Sequence, residues 1–277
     1  MVNFFLGFFF LLTFTLNSYS QYSFSKDTTS FQLSQKQKII ILSTAYLRTL
    51  TAIHNYQSDA WWKNFRQPFH FREDLKYGAN VDKVGHFWGA NFSSFLISRS
   101  LEWSEVEKKD ALIYGAIGGT LFELYIEFED GFSKWGFDRV DAISNIVGGF
   151  YPVLQNEFPI LQNVNFKASY YPRKLNEPGN ISGQKHIIID DYEGQTLWLS
   201  FKTNTFLCPA IGYSVRGTGK GEMQTPICLI GLDIDFEKII PQNNFQNETI
   251  AKFLNFIRFP LPAVRIYPNI VCYGIYF

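Results

Sequence analysis

The fold is decided by D-K-V-G-H-F at residues 82–87, I-E-F-E-D-G-F-S-K-W-G-F at residues 126–137 and D-R-V-D-A-I-S-N-I-V-G-G at residues 138–149. Acidic, amide and imidazole side chains recur here within segments that are otherwise apolar and have helical spacing. Burying such groups is unfavourable unless they bond to one another. The pattern therefore predicts helices whose polar faces meet.

Polar and small residues share one stripe in each of three predicted helices. The stripes are Asp82, His86, Gly89 and Ser93 in the first helix, Ala116, Gly119, Thr120, Glu123 and Glu127 in the second, and Asp138, Asp141, Asn145, Gly148 and Pro152 in the third. Small residues allow helices to approach closely. We expect the three stripes to face one another, with His86, Glu127, Asp141 and Asn145 near a shared centre.

Capping signals predict where these helices begin. Asp82 is a good N-cap residue for the first helix. Ser104 and Glu107 form a capping-box pattern, which predicts a second helix from about residue 105 to residue 129. The third helix is expected to begin near Phe137, and an earlier helix is expected at residues 37–56.

The character of the chain changes after Pro159. Alternating apolar residues separated by Gly and Asn clusters predict strands at residues 168–171, 186–189, 196–201, 211–215, 227–236 and 264–277. Residues 247–257 have the pattern of one amphipathic helix. We therefore predict an α+β fold, with a bundle of about four helices in a domain of residues 21–158 and a β-rich domain of residues 159–277.

The N-terminus indicates export. Residues 4–16 form an apolar run, and Ser18-Tyr19-Ser20 provides the small residues that signal peptidases recognise. We interpret residues 1–20 as a signal peptide, with an uncleaved anchor as the alternative. The run is not followed by a cysteine, so a lipoprotein anchor is not expected. The expected location is the periplasm or outer membrane of a Gram-negative bacterium.

Charge and cysteine content exclude some partners and leave other questions open. Net charge is zero, so a nucleic-acid partner is not expected. Cys208 and Cys228 could pair or remain free thiols, and Cys272 is left over. The apolar runs of the helices, about 14 to 18 residues, are shorter than the roughly 20 that a span needs. The two alternatives are membrane-embedded or membrane-seated helices and a soluble bundle.

The shared polar centre allows two kinds of role. His86, Glu127 and Asp141 offer donors that suit a divalent ion such as zinc or manganese, and a carboxylate beside His86 would tune it as a proton donor or acceptor. The H-E-x-x-H pattern of a zinc peptidase is missing. In the alternative interpretation, Asp82, His86, Asp141 and Asn145 form a buried network that only fixes helix register.

These motifs resemble the YfiM-like family, a bacterial group of predicted periplasmic lipoproteins of unknown activity. The spacing D-K-x-x-H, Glu and D-x-x-x-N-x-x-G is also similar to that of VanZ-like membrane proteins. Downstream, D-Y-E-G-Q-T-L-W-L-S-F at residues 191–201 and G-L-D-I-D-F at residues 231–236 resemble longer forms from Bacteroidetes-type bacteria. The resemblance covers about residues 40–277.

The resemblance implies a set of site residues. They are Asp82, Lys83, His86, Glu127, Asp130, Asp141, Asn145 and Gly148. The chain departs from the family in lacking a lipobox cysteine. It also has Asp138 where similar sequences tend to have a small hydroxyl residue, which adds negative charge beside the centre.

Two hypotheses for function follow. The first is an exported cell-envelope protein of unknown activity that associates with a membrane or envelope lipid. The second is a hydrolase or transferase acting on an envelope lipid or glycan. In that case His86, Asp141 and Glu127 are the catalytic candidates, with His86 as acid or base, and Asp82, Lys83, Asp130 and Asn145 are binding candidates. The sequence leaves open whether the protein is an enzyme.

Overall fold

A computed structural model describes residues 33–173, 187–218 and 224–277. The predicted signal peptide lies outside these ranges. The helices described are α1 (Gln35–Gln57), α2 (Val81–Trp103), α3 (Lys108–Gly131), α4 (Arg139–Glu157) and α5 (Phe245–Leu254). Four of these five precede a six-stranded antiparallel sheet, and α5 lies between its fourth and fifth strands. The predicted α+β class is confirmed.

Small residues set the close packing of α2 against α3 and α4, and Gly119 and Gly148 of the predicted stripes are among them. Gly115 and Gly119 of α3 lie directly against Ser98 and Ser94 of α2. Gly148 of α4 lies against the backbone of Phe87 in α2. A Cβ atom at any of these glycines would overlap the neighbouring helix, so the polar residues beside them are brought together.

We expect Gly148→Ala to lower the free energy of unfolding by about 1–3 kcal/mol, because its methyl group would overlap the Phe87 carbonyl. Urea denaturation of the purified protein measures this change. Gly85→Ala is the matched control, since Gly85 is a helical glycine of α2 that has no atom within 4 Å of a new Cβ. That variant should be unchanged or up to about 1 kcal/mol more stable. Equal effects of the two substitutions would contradict the close-packing argument.

The helix starts differ from two of the predictions. Asn80, in the left-handed conformation at φ 64°, is the N-cap of α2, so Asp82 lies inside the first turn and is not the cap. Glu107 precedes α3 without a capping side-chain bond, and the Ser104 hydroxyl donates to the Leu101 carbonyl instead at 2.8 Å. The helix therefore starts three residues later than expected. Asp138 caps α4 by accepting from the Val140 amide at 2.7 Å.

Helix α1 agrees with the predicted helix at residues 37–56 and begins slightly earlier. Ser34 and Gln37 form a reciprocal capping box that fixes its first turn. The Gln37 side chain accepts from the Ser34 amide at 2.8 Å. This local signal accounts for the start at Gln35.

The strands pair in chain order as an antiparallel meander. They are β1 (Val164–Tyr170), β2 (Gln195–Phe201), β3 (Leu207–Arg216), β4 (Thr225–Ile234), β5 (Leu261–Tyr267) and β6 (Val271–Tyr276). One face has a buried core around Trp198, Leu229 and Tyr276. On the other face Leu197 packs with Val84 of α2, which attaches the sheet to the helices.

Three predictions in the β-rich region need correction. Residues 264–277 are not one strand, because the chain turns between β5 and β6. Residues 187–189 belong to a turn, in which Asp190 accepts from the Ile187 amide at 2.6 Å, and His186 lies outside the described residues. The predicted helix at residues 247–257 is present but ends at Leu254, because Asn255 caps it.

The cysteines are free thiols in the structure. Cys208 lies opposite Asp233 in the sheet, whereas Cys228 lies opposite Tyr213. These positions are separated by several residues along the same ladder, which is too far for a disulfide bond. Of the two alternatives for Cys208 and Cys228, the structure has the unpaired one.

Candidate ionic centre

An ammonium group surrounded by carboxylates forms the centre of the site. Lys83 Nζ lies 2.9 Å from Asp138 Oδ2, 3.0 Å from Asp141 Oδ2 and 3.5 Å from Asp82 Oδ2, and it also contacts Asp74 Oδ1. The starts of α2 and α4 bring these residues together. We call Lys83 and these four acids the ionic centre.

His86 lies one helical turn beyond Asp82 and borders the ionic centre. Its Nδ1 is 3.1 Å from Asn145 Oδ1. Its Nε2 faces two carboxylates, with Asp82 Oδ1 at 3.7 Å and Asp141 Oδ2 at 3.8 Å. The predicted meeting of His86, Asp82, Asp141 and Asn145 is therefore present in the structure.

Glu127 and Asp130 of α3 have different partners. The Glu127 carboxylate accepts from the Asp138 backbone amide, just before the first turn of α4. Asp130 accepts from the Trp62 indole at 2.7 Å. Both residues border the centre, but their hydrogen bonds fix Trp62, which lies between α1 and α2, and the start of α4.

Burial and the surrounding carboxylates act in opposite directions on the pKa values of His86 and Lys83. Burial lowers the pKa of His86, but the carboxylates of Asp82, Asp141 and Glu127 outweigh it and raise that pKa to about 9. Burial also acts to lower the pKa of Lys83, and the surrounding carboxylates, Asp82 first, raise it above its usual value. Lys83 is therefore a permanent cation.

Burial also makes the acids unusually ready to hold a proton. It raises the pKa of Glu127 to about 8, and the pKa values of Asp141, Asp130 and Glu123 to about 7. In each case the positive charge of His86 acts in the opposite direction. The acids outnumber the bases here, and a proton held by one of the acids reduces the negative charge of the site.

Two groups of side chains could hold a metal ion. Asp82, His86 and Asp141 form one group, and Asp74, Asp138 and Asp141 form the other. The Lys83 ammonium already lies among the oxygens of the second group. The first group shares Asp141 with Lys83 but also contains the His86 nitrogen, so it is the stronger candidate for an added cation.

Sequence reasoning missed two members of the site. Asp74 comes from the connector before α2 and has no motif around it. Tyr192 lies between β1 and β2, and its hydroxyl donates to Asp82 Oδ1 at 2.8 Å. Tyr192 belongs to the D-Y-E-G-Q motif at residues 191–195, which the family resemblance had singled out. That motif was the available signal.

Two cavities lie apart from the ionic centre. One, of about 140 Å³, is lined by Trp88 and Leu197, between α2 and the sheet. The other, of about 340 Å³, is lined by Arg99, Tyr151 and Asn255. Neither His86 nor the residues of the ionic centre line these two cavities, so the ionic centre is a separate feature.

Fold and site together define an α+β protein with an ionic centre at the starts of α2 and α4, bordered by α3. Over residues 70–157 the chain matches the model of a family described as "Predicted periplasmic lipoprotein (DUF2279)". That range contains α2, α3 and α4 and the whole ionic centre, including Asp74, but not Tyr192. The match supports an exported, periplasmic protein from an uncharacterised family. Neither the curated proteins nor the solved structures include a match to the chain.

Proposed function

We propose that this protein is a cell-envelope component that associates with a membrane through the outward faces of α3 and α4. The proposed place is the periplasmic side of an envelope membrane, such as the outer membrane of a Gram-negative bacterium. Lipid is the proposed partner. Kinship with the YfiM-like and VanZ-like proteins belongs to the same proposal and is supported by the motif spacing at residues 82–87 and 141–148.

The observation that carries this proposal is an exposed apolar band on the two helices. Every exposed residue at positions 111–128 and 140–154 is apolar or aromatic. The band consists of Ile113, Tyr114, Ile117, Leu121, Tyr125 and Phe128 on α3 and of Ile143, Ile146, Val147, Phe150 and Leu154 on α4. Contiguous surfaces of this kind are typical of membrane or partner contacts.

The dimensions of the band favour seating in a membrane. On α3 the band is about 22 Å long, less than the roughly 30 Å of a full hydrocarbon core. Charged residues lie beyond both of its ends, with Lys109 and Asp110 at one end and Glu129 at the other. Among the described helices, only α3 is long and apolar enough to cross a membrane, a criterion that buried core helices also meet.

We expect Leu121→Lys combined with Ile143→Lys to reduce binding to phosphatidylethanolamine and phosphatidylglycerol vesicles by roughly 100-fold or more. Each buried lysine would cost about 2.5–3.5 kcal/mol in hydrocarbon. Vesicle flotation of the full chain measures the bound fraction. The control is Ile189→Lys, since Ile189 is exposed in a turn outside the band. A wild-type chain that stays in the aqueous fraction would contradict the proposal.

A second candidate function is a hydrolase or transferase acting on an envelope lipid or glycan. His86 would serve as acid or base, and Asp141 and Glu127 would orient it or bind a metal. In its favour, buried polar atoms at the centre lack hydrogen-bond partners within the described residues, namely Asp141 Oδ1 and Asn145 Nδ2. A lipid that co-purifies with the protein and is lost from a His86→Ala variant would support it.

A further inference from the structure

The gap between His86 and its two acidic neighbours is too wide for hydrogen bonds and the right size for an ion. Nε2 lies 3.7 Å from Asp82 Oδ1 and 3.8 Å from Asp141 Oδ2, beyond normal hydrogen-bond distances. The three ligand atoms lie within 4.8 Å of one another. Two atoms that each bind one zinc ion at about 2.1 Å are at most about 4.2 Å apart, so both distances suit a shared ion.

The other nitrogen of His86 is already fixed in the way that metal sites require. Asn145 Oδ1 can only accept a hydrogen bond, so His86 Nδ1, at 3.1 Å, is the donor. A divalent ion would replace the proton on Nε2, which faces the carboxylates. Histidine ligands of metals commonly donate their second N–H to an oxygen in this manner.

Unpartnered buried atoms at the same place supply a second, independent observation. Asp141 is 4% exposed and Asn145 is 0% exposed. Within the described part of the chain, Asp141 Oδ1 and Asn145 Nδ2 have no hydrogen-bond partner. Buried polar atoms without partners are unfavourable, and a ligand beside Asp141 and Asn145 would satisfy them.

We propose that Asp82, His86 and Asp141 bind one divalent cation, zinc or manganese, through one nitrogen and two carboxylate oxygens. This donor set suits either ion. Asn145 would orient His86, and its free Nδ2 would donate to a water or anion on the open coordination position. The site uses Asp82 where the sequence suggested Glu127, because Glu127 is committed to the Asp138 amide. The inference is independent of the apolar band.

Metal titration of the untagged full chain, purified in detergent and stripped with a chelator, tests this proposal. We expect one Zn²⁺ or Mn²⁺ per chain by calorimetry and elemental analysis. Co²⁺ should give visible absorption bands and paramagnetically shifted histidine NMR signals. Asn145→Ala should weaken binding roughly 10- to 100-fold, as is typical of residues that orient a ligand. His86→Gln and Asp82→Asn should weaken it at least as much.

Matched controls keep the result specific to this site. His54→Gln and Asp110→Asn change the same residue types outside it and should bind the ion as the wild type does. If His86→Gln fails to fold, Asp82→Asn and the shifted histidine signals of the wild-type Co²⁺ form still decide the question. A wild-type chain that binds no divalent ion at millimolar concentration overturns the proposal. So does equal binding by Asp82→Asn and Asp110→Asn.

Discussion

Lys83→Met is expected to lower the free energy of unfolding by about 3–5 kcal/mol, the typical cost of removing one partner from a buried ion pair. The Lys83 side chain is 8% exposed, and its partners Asp138 and Asp141 are 5% and 6% exposed. Methionine keeps the approximate length of the side chain but removes the ammonium group that these acids share. Like charges would then face one another away from water.

The loss should exceed that of an ordinary salt bridge because four acids depend on the same cation. Asp74 and Asp82 are partly exposed, so water would screen part of their repulsion. Asp138 and Asp141 have little such relief, and Asp138 is also the cap of α4. The start of α4 should therefore loosen first, which hydrogen exchange of its amides would detect.

Urea denaturation of Lys83→Met beside Lys63→Met separates this effect from a general loss of charge. Lys63 pairs with Asp59 at 3.4 Å, but the two side chains are 69% and 63% exposed. Such exposed helical pairs contribute about 0.3–0.5 kcal/mol. Similar losses in the two variants would show that the ionic centre has no special role in stability.

The residues that share a helix face were predictable from the sequence. The helical period places Asp82 with His86 and Asp141 with Asn145, and the structure brings these four together. The role of Lys83 was less accessible. It was singled out through the family resemblance, and Asp74, one of its partners, comes from a connector in which spacing has no predictive value.

Errors arose where local chemistry competes with the periodic pattern. Three residues before α2, from Gly78 to Asn80, adopt left-handed conformations and place the cap at Asn80. The isoleucine run at residues 187–189 has strand propensity, but the Asp190 side chain bonds to the Ile187 amide and favours a turn. Pro268 and Asn269 favour a turn, but the alternating apolar pattern of residues 264–277 suggested one continuous strand. Glu127 satisfies a backbone amide, and no pattern reports such a pairing.

The sheet contains a second buried ion pair, and this one has a single acid. Lys167 Nζ of β1 lies 2.7 Å from Asp233 Oδ2 of β4, and the two side chains are 0% and 1% exposed. Lys167 also donates to the Ile234 carbonyl at 2.6 Å and to Asn255 Oδ1 at 3.3 Å. Burial lowers the pKa of Lys167 despite Asp233, which indicates how fully this pair is removed from water.

Lys167→Met is expected to lower the free energy of unfolding by about 3–5 kcal/mol, because it leaves the Asp233 carboxylate buried without its cation. The double variant Lys167→Met with Asp233→Asn should be more stable than Lys167→Met alone, since the unpaired charge is removed as well. A double-mutant cycle by urea denaturation should give a coupling of about 0.5–3 kcal/mol between these contacting residues. Additive losses would show that the two side chains contribute through packing alone and that their charges do not stabilise each other.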